Sequence, residues 1–237
     1  MPYVAIEGPR HGGQPEAITD LKKVYGDRLF AVPDPTDPTH MPDDVLRKVF
    51  AAPLDRGQSQ IQTNLFMTYA IGQSWAIEQA LASGPTVVAS RSALMFPAQL
   101  LGLARMPELR AVNPECVPLD LEYAKCAVDR GLDIEQLAVP DLLIIMRAAS
   151  EATYNRRLAK IVVAGGLDIR ENPLSDWGMS ERVHGATLEL AEELLPGVPV
   201  RAVDALDDQA DASGGLAEPT LAEIRQIVEP FFGAPTV

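Results

Sequence analysis

The sequence predicts a single α/β domain, with a mostly parallel five-stranded sheet covered by helices on both faces. Five short apolar runs alternate with helical patterns along the chain, which is the order that builds parallel sheets through crossover helices. The run Asp141–Met146 is apolar almost throughout, as expected for a central strand buried on both faces. The first run, Tyr3–Glu7, leads through a glycine-bearing turn into a helix.

Composition restricts the class of protein. The 237 residues suffice for one sizeable domain, and the net charge of −13 argues against nucleic acid as the main partner. No apolar run approaches the roughly 18–20 residues that span a bilayer. The chain enters a strand directly after Met1-Pro2, so we expect no targeting leader and a cytoplasmic protein. Cys116 and Cys126 are expected to be two reduced thiols rather than a disulfide or a zinc site.

The other elements follow from hydrophobic period and turn residues. Further strands are predicted at Leu29–Val32, Thr86–Ala89 and Val198–Val203. Helices are predicted over 15–25, 42–52, 59–82, 92–105, 121–130, 150–164, 179–195 and 220–228. Ser150 is predicted to cap its helix, and Thr220 with Glu223 forms a capping-box pattern.

The turn after the first strand has the outline of a phosphate-binding loop. The pattern G-x-x-x-x-G-K-[ST] finds its two glycines at Gly8 and Gly13, but Gln14 and Pro15 replace the lysine and the hydroxyl residue. The glycines are interpreted either as a phosphate cradle or as a tight strand-to-helix turn. Within the loop, Arg10 and His11 are interpreted either as replacement positive charge or as solvated side chains.

The order of these strands, helices and motifs along the chain resembles that of the thymidylate kinase family of P-loop nucleoside monophosphate kinases. The resemblance covers nearly the whole chain. The matching stretches are Val4–Pro15, Asp34-Pro35, Leu65-Phe66, Val87–Arg91, Pro140–Ile145, Leu167–Glu171 and Glu181–Val183. It implies a three-layer P-loop NTPase-type fold, one domain over 1–237 with a lid-like loop at about 165–178, and a homodimer. In an active member of the family, ATP and Mg²⁺ would be the cofactors.

The chain departs from the family pattern at the residues that bind phosphate and metal in the family. Gln14 is uncharged, and Pro15 has neither a hydroxyl group nor a backbone N–H. Glu16 places a negative charge in the first helical turn, where the helix dipole favours an anion. The family's Asp-Arg-Tyr after the third strand is Ser90-Arg91-Ser92 in this chain, so only the arginine is retained.

Three further family positions have changed. The phosphate-binding arginine of the long helix corresponds to Ala70. The Arg-Glu-Pro motif after the second strand has Pro33 and Asp34 in place of its arginine and glutamate. The acid that some members carry in the loop is Arg10.

Candidate site residues therefore carry a functional and a structural interpretation. Arg91 can clamp the phosphate of an acceptor or pair with an acid such as Asp34. Phe66 can stack on a base or pack in the core, and Gln99 can bind a base edge or lie on a helix surface. The candidates are Arg10, Gln14 and Arg91 for catalysis; Gly8, His11, Gly12 and Gly13 for the phosphate loop; Asp34, Phe66 and Gln99 for the nucleotide; and Arg156, Arg157 and Arg170 for the lid.

Two functions follow as hypotheses. The first is a thymidylate kinase-like protein that has lost phosphoryl transfer and acts as a nucleotide-binding pseudokinase or a structural partner. The second is a divergent, active deoxynucleoside monophosphate kinase that transfers phosphate from ATP to dTMP or a related monophosphate, using Arg10, Gln14, Arg91 and the lid arginines for charge. The coordinated loss of the lysine, the metal ligand and an acceptor-side arginine favours the first.

Overall fold

The computed structural model describes residues 1–9, 12–32, 58–106, 116–165, 176–208 and 215–232. Its sheet has five strands in the order β2-β3-β1-β4-β5, and every neighbouring pair is parallel. The strands are β1 (Tyr3–Glu7), β2 (Leu29–Val32), β3 (Thr86–Ser90), β4 (Leu142–Ala148) and β5 (Val200–Ala205). The predicted α/β class with a parallel five-stranded sheet is confirmed.

Seven helices are described. They are α1 (Gln14–Tyr25), α2 (Gln58–Ser83), α3 (Met95–Ala104), α4 (Cys116–Asp133), α5 (Glu151–Gly165), α6 (Trp177–Leu194) and α7 (Glu218–Val228). Two short 3₁₀ turns, Gly26–Arg28 and Glu229–Phe232, follow α1 and α7. No helix in the described part of the chain is long and apolar enough to cross a membrane.

Both faces of the sheet are buried, which explains why its central strands lack polar alternation. On β1, Val4 and Ile6 pack with α1 and α7, whereas Tyr3 and Ala5 pack with α2, α3 and α6. A third cluster joins α2, α3 and α4. Helices on both faces therefore form the three layers that the sequence predicts.

The first residues of three helices can be compared with their predicted starts. The Oγ of Ser150 accepts a hydrogen bond from the N–H of Thr153 at 3.2 Å, so the predicted cap of α5 is confirmed. Helix α6 begins two residues before its predicted start, since Asp176 caps it by accepting from the N–H of Met179 at 2.9 Å. Helix α4 begins at Cys116 and tolerates Pro118 in its first turn, where N–H groups have no partner within the helix.

The capping box predicted at Thr220 is wrong. Helix α7 begins earlier, at Glu218, with Pro219 in its first turn. The Oγ1 of Thr220 instead accepts from the N–H of Leu206 at 3.0 Å and donates to the carbonyl of Asp204 at 3.3 Å. A tertiary contact with the end of β5 therefore uses the hydroxyl that the local pattern assigned to a cap.

Several predicted features fall outside the described residues. They are the loop at 33–39, the helix at 42–52 and most of the lid-like loop at 165–178.

Candidate functional site

The candidate site lies at the carboxyl ends of three neighbouring strands. Strand β1 runs between β3 and β4, so the loop that follows β1 meets the turn after β3 and the end of β4. Open parallel sheets bind ligands at this edge. The topology therefore brings the phosphate-loop candidates together with Arg91.

Gly8 lies against the backbone of β4. Its φ is +144°, and a Cβ atom added to it would lie 2.1 Å from the carbonyl oxygen of Met146 in β4. The same atom would lie 2.8 Å from Nε2 of Gln14. Only glycine fits this position, which supports the structural interpretation of Gly8 as a tight turn and leaves a phosphate role open.

Gln14 lies inside the loop. Its side chain is buried, and its Nε2 donates a hydrogen bond to the carbonyl of Pro9 at 3.1 Å. A Cβ on Gly12 would lie 3.0 Å from the same nitrogen. An uncharged amide therefore occupies the interior of the loop at the position where the family pattern places a lysine.

The N-terminus of α1 is the part of the loop that suits an anion. Its N-cap is Gly13, which has φ +97° and provides no side-chain hydrogen bond to the first turn. The helix has 12 residues, so its dipole and first N–H groups are available to a negative group. Pro15 removes one of those N–H groups.

Arg157, a lid candidate, lies against this helix start. Its Nη2 forms an ion pair with Oε1 of Glu16 at 2.7 Å, and its side chain is 2% exposed. The same nitrogen is 3.1 Å from the place where a Cβ on Gly13 would lie. The structure therefore brings Arg157 to the start of α1, but a carboxylate of the protein neutralises its charge there.

Arg156 points to a different partner. Its Nε and Nη2 bind the two carboxylate oxygens of Asp207 at 2.7 and 2.8 Å. Asp207 forms an isolated β-bridge with Leu216, beyond the end of β5. This bidentate pair ties α5 to the segment after β5.

Arg91 turns back onto the loop. Its φ is +74°, and its backbone N–H donates to the carbonyl of Ile6 at 3.0 Å. Its Nη1 donates to the carbonyl of Gly8. The guanidinium therefore lies at the first residue of the loop, where it can meet an anion, while the ion pair predicted with Asp34 lies outside the described residues.

Glu7 is a site residue that the sequence reasoning did not select. Its carboxylate is 1% exposed and accepts from the N–H and Oγ of Ser92 at 2.5 and 3.0 Å, and from the N–H of Gly8 at 3.3 Å. Burial raises the pKa of Glu7 from 4.5 to about 7, although Arg91 and these hydrogen bonds act in the opposite direction. The signal available in the sequence was an acid that ends an apolar strand directly before the loop.

The two nucleotide-binding candidates on helices, Phe66 and Gln99, are placed less favourably for contact with a ligand. Phe66 is 1% exposed and stacks on Phe96 with ring centroids 5.6 Å apart, in a core cluster that includes Ala70. Gln99 is half-buried on α3. The core interpretation of Phe66 is the one that this packing supports.

Four candidates, Arg10, His11, Asp34 and Arg170, lie outside the described residues.

Positions 14 and 15 lack the side chains that the P-loop pattern uses to hold a metal–nucleotide complex. Such a complex needs a lysine for the phosphates and a Ser/Thr hydroxyl for the metal. Positions 14 and 15 hold the buried amide of Gln14 and a proline. In the described ranges, no group of three or more His, Cys, Asp or Glu side chains is arranged to hold a metal ion.

A separate polar cluster lies at the outer edge of the sheet, away from the loop. Arg147 pairs with Asp204 at 2.7 Å and with Glu181 at 3.3 Å, next to a cavity of about 470 Å³ that His184 also lines. Burial and the nearby Arg147 lower the pKa of His184. The cluster joins β4, β5 and α6.

Comparison with known proteins supports the fold. No protein-family model matches the sequence, and no curated protein does. Among solved structures, a thymidylate kinase from Candida albicans superposes with a TM-score of 0.63 at 13% sequence identity. The alignment covers 97% of this chain and 92% of that one. At this identity the likeness establishes the architecture alone: the chain has a thymidylate kinase-like P-loop fold.

Proposed function

We propose that this chain is a thymidylate kinase-like protein that binds a phosphate-bearing nucleotide at the Gly8–Gly13 loop but has lost ordinary phosphoryl transfer. It then acts as a pseudokinase or as a structural partner. The observation that carries the proposal is the buried, uncharged amide of Gln14, which donates to Pro9 within the loop. An uncharged amide that is already bonded to Pro9 cannot stabilise the negative charge that develops on a transferred phosphoryl group as a lysine would.

The neighbouring charges support the same proposal. Arg157 is paired with Glu16, and Arg91 donates to the carbonyl of Gly8. Losing one preorganised charge-stabilising group typically lowers the rate by about 10²–10³. The lysine and the hydroxyl ligand are both absent at this loop, so we expect their effects to combine.

A second candidate function is an active deoxynucleoside monophosphate kinase, with ATP and Mg²⁺ as cofactors. The position of two guanidinium groups, those of Arg91 and Arg157, beside the loop favours it. In this case the arginines supply the charge that the missing lysine would have given.

A coupled kinase assay with ATP, Mg²⁺ and each deoxynucleoside monophosphate separates the two candidates. We expect no turnover above background, together with measurable binding of ATP or dTMP by calorimetry. Turnover at ordinary kinase rates that is abolished by Arg91→Ala would establish the second candidate instead. Binding of neither ligand would leave the structural-partner role.

Replacing Glu16 by glutamine should strengthen anion binding at the loop. The change removes a negative charge from the first turn of α1 and releases Arg157 from its ion pair. We expect a two- to five-fold gain in ATP affinity, about the size of a helix-dipole effect. Isothermal titration calorimetry measures it.

Asp27→Asn is the matched control for this change. It alters the net charge equally but lies beyond the C-terminal end of α1. A gain of the same size in Asp27→Asn would show that overall charge, rather than the helix start, sets the affinity.

We also propose that the chain forms a homodimer through the outer face of α2. Trp75 is 66% exposed and Ile71 is 37% exposed, and a Cβ on Gly72 between them would meet nothing within 4 Å. Tryptophan is enriched at protein–protein interfaces, and a glycine beside it leaves room for a second copy to approach the helix closely.

Trp75→Glu should therefore convert the dimer into a monomer. A buried interface does not accept an unpaired charge at its centre. Size-exclusion chromatography with light scattering would report about twice 25.6 kDa for the wild type and one chain mass for the variant. Val24→Glu, at another exposed apolar position, should leave the mass unchanged. A monomeric wild type contradicts the proposal.

A further inference from the structure

Glu7 joins the two turns that form the candidate site. The donors to its carboxylate in the described part of the chain belong to those turns: the N–H of Gly8 lies at the start of the loop after β1, and the N–H and Oγ of Ser92 follow β3. The Oγ of Ser92 also accepts from the N–H of Leu94 at 3.2 Å, just before α3. A single buried carboxylate therefore links the loop to the start of a helix.

Arg91 belongs to the same junction. Its guanidinium donates to the carbonyl of Gly8, while the N–H of that residue donates to Glu7. The positive charge of Arg91 favours the ionised form of Glu7, and burial favours the protonated form. The protonation state of Glu7 is thus set by competition between its burial and the nearby charge of Arg91.

The described elements that flank Glu7 contribute no competing charge. Strand β4 places Ile145 next to it in the register. On β1 itself, Tyr3 is buried, and burial together with Glu7 raises the pKa of its phenol, so Tyr3 is neutral at pH 7. Among the described residues, Arg91 is therefore the charged group that acts on Glu7.

We propose that Glu7 is a positioning residue for Arg91, and that its carboxylate takes up a proton when Arg91 binds an oxyanion of the phosphate class at the loop. The inference rests on the proposed function for its ligand. An anion at Arg91 offsets the positive charge that favours the ionised form of Glu7, and a proton from solvent then converts the carboxylate into the neutral acid. Oε2 is the oxygen that receives it, because Oε2 accepts only the long bond from Gly8, whereas Oε1 accepts both bonds from Ser92.

The consequence is a pH-dependent affinity. Binding that takes up a proton is favoured by acid, so anion affinity rises as the pH falls through the region just above 7. The rise is at most about ten-fold per pH unit for one proton. A merely structural glutamate would leave the affinity independent of pH in this range.

Calorimetry with sulfate as the probe tests the ligand-linked step. Sulfate carries both charges throughout this range and takes up no proton itself. Titrations at pH 7.5 in two buffers with different ionisation enthalpies give the number of protons bound. We expect uptake of up to about one proton by the wild type and none by Glu7→Gln. His184→Asn, which removes a histidine outside the loop, is the control and should retain the uptake; uptake that persists in Glu7→Gln overturns the inference.

The coupling between Glu7 and Arg91 has its own test without ligand. Carbon-13 NMR follows the titration of the Glu7 carboxyl, which is assigned by its loss in Glu7→Gln. Arg91→Gln should raise the midpoint by about one pH unit, and Arg91→Lys, which keeps the charge, should restore it. An unchanged midpoint in Arg91→Gln overturns the inference. Failure of sulfate to bind the wild type contradicts the proposed phosphate site instead, so the two failures are distinguishable.

Discussion

Gly8→Ala should destabilise the protein by at least about 3 kcal/mol. The φ of +144° is strained for any residue with a side chain, and the new Cβ would lie 2.1 Å from the backbone oxygen of Met146. That oxygen belongs to β4, which pairs on both sides within the sheet, so it cannot move away at low cost. Urea denaturation followed by circular dichroism measures the change.

Gly185→Ala is the matched control for this prediction. Gly185 lies within α6, and a Cβ there would meet nothing within 4 Å. Alanine should stabilise a helix interior by about 0.5–1 kcal/mol relative to glycine. If Gly8→Ala were as stable as the wild type, the close approach between the loop and β4 would be contradicted.

Glu7→Gln should remove a pH dependence of stability worth roughly 3 kcal/mol. Burial raises the pKa of Glu7 from 4.5 to about 7 in the folded protein. Because the folded state holds this proton more tightly than the unfolded chain, the stabilising contribution is complete below pH 4.5 and is lost as the pH rises through 7. Glutamine keeps an acceptor for Ser92 but does not titrate.

The measurement is the free energy of unfolding of both proteins from pH 5 to pH 8. His184 contributes with the opposite sign, since its lowered pKa makes the fold more stable as the pH rises through its titration range. Subtracting the curve of Glu7→Gln from that of the wild type cancels this background. A difference that does not change with pH would show that Glu7 titrates as an exposed glutamate does.

Local patterns were sufficient to predict much of the fold. The alternation of apolar runs and helical periods predicts all five strands and their parallel arrangement, because buried parallel strands are apolar on both faces. The glycines at 8 and 13 predict the strand-to-helix turn, since both positions have positive φ. Element ends were less predictable: strand β5 begins two residues later than expected, at Val200.

The candidate site was only partly predictable. Gln14 and Pro15 identify the missing lysine and hydroxyl by their position in a motif, without any coordinates. The partner of Arg157 was not predictable, because Glu16 is 141 residues away in the chain. Ion pairs of this separation follow from how elements pack, which no short-range pattern encodes.

The sequence by itself therefore determined the class of sheet, the glycine-bearing turn after β1 and the presence of Gln14 and Pro15 where the P-loop pattern has a lysine and a hydroxyl residue, because each depends on residue type and spacing along the chain. Only the tertiary structure decided which groups the loop contacts. It buries Glu7, turns Arg91 back onto Gly8 and places Arg157 against Glu16. Burial and long-range charge pairing arise when distant strands and helices meet, and they set the electrostatics of this site.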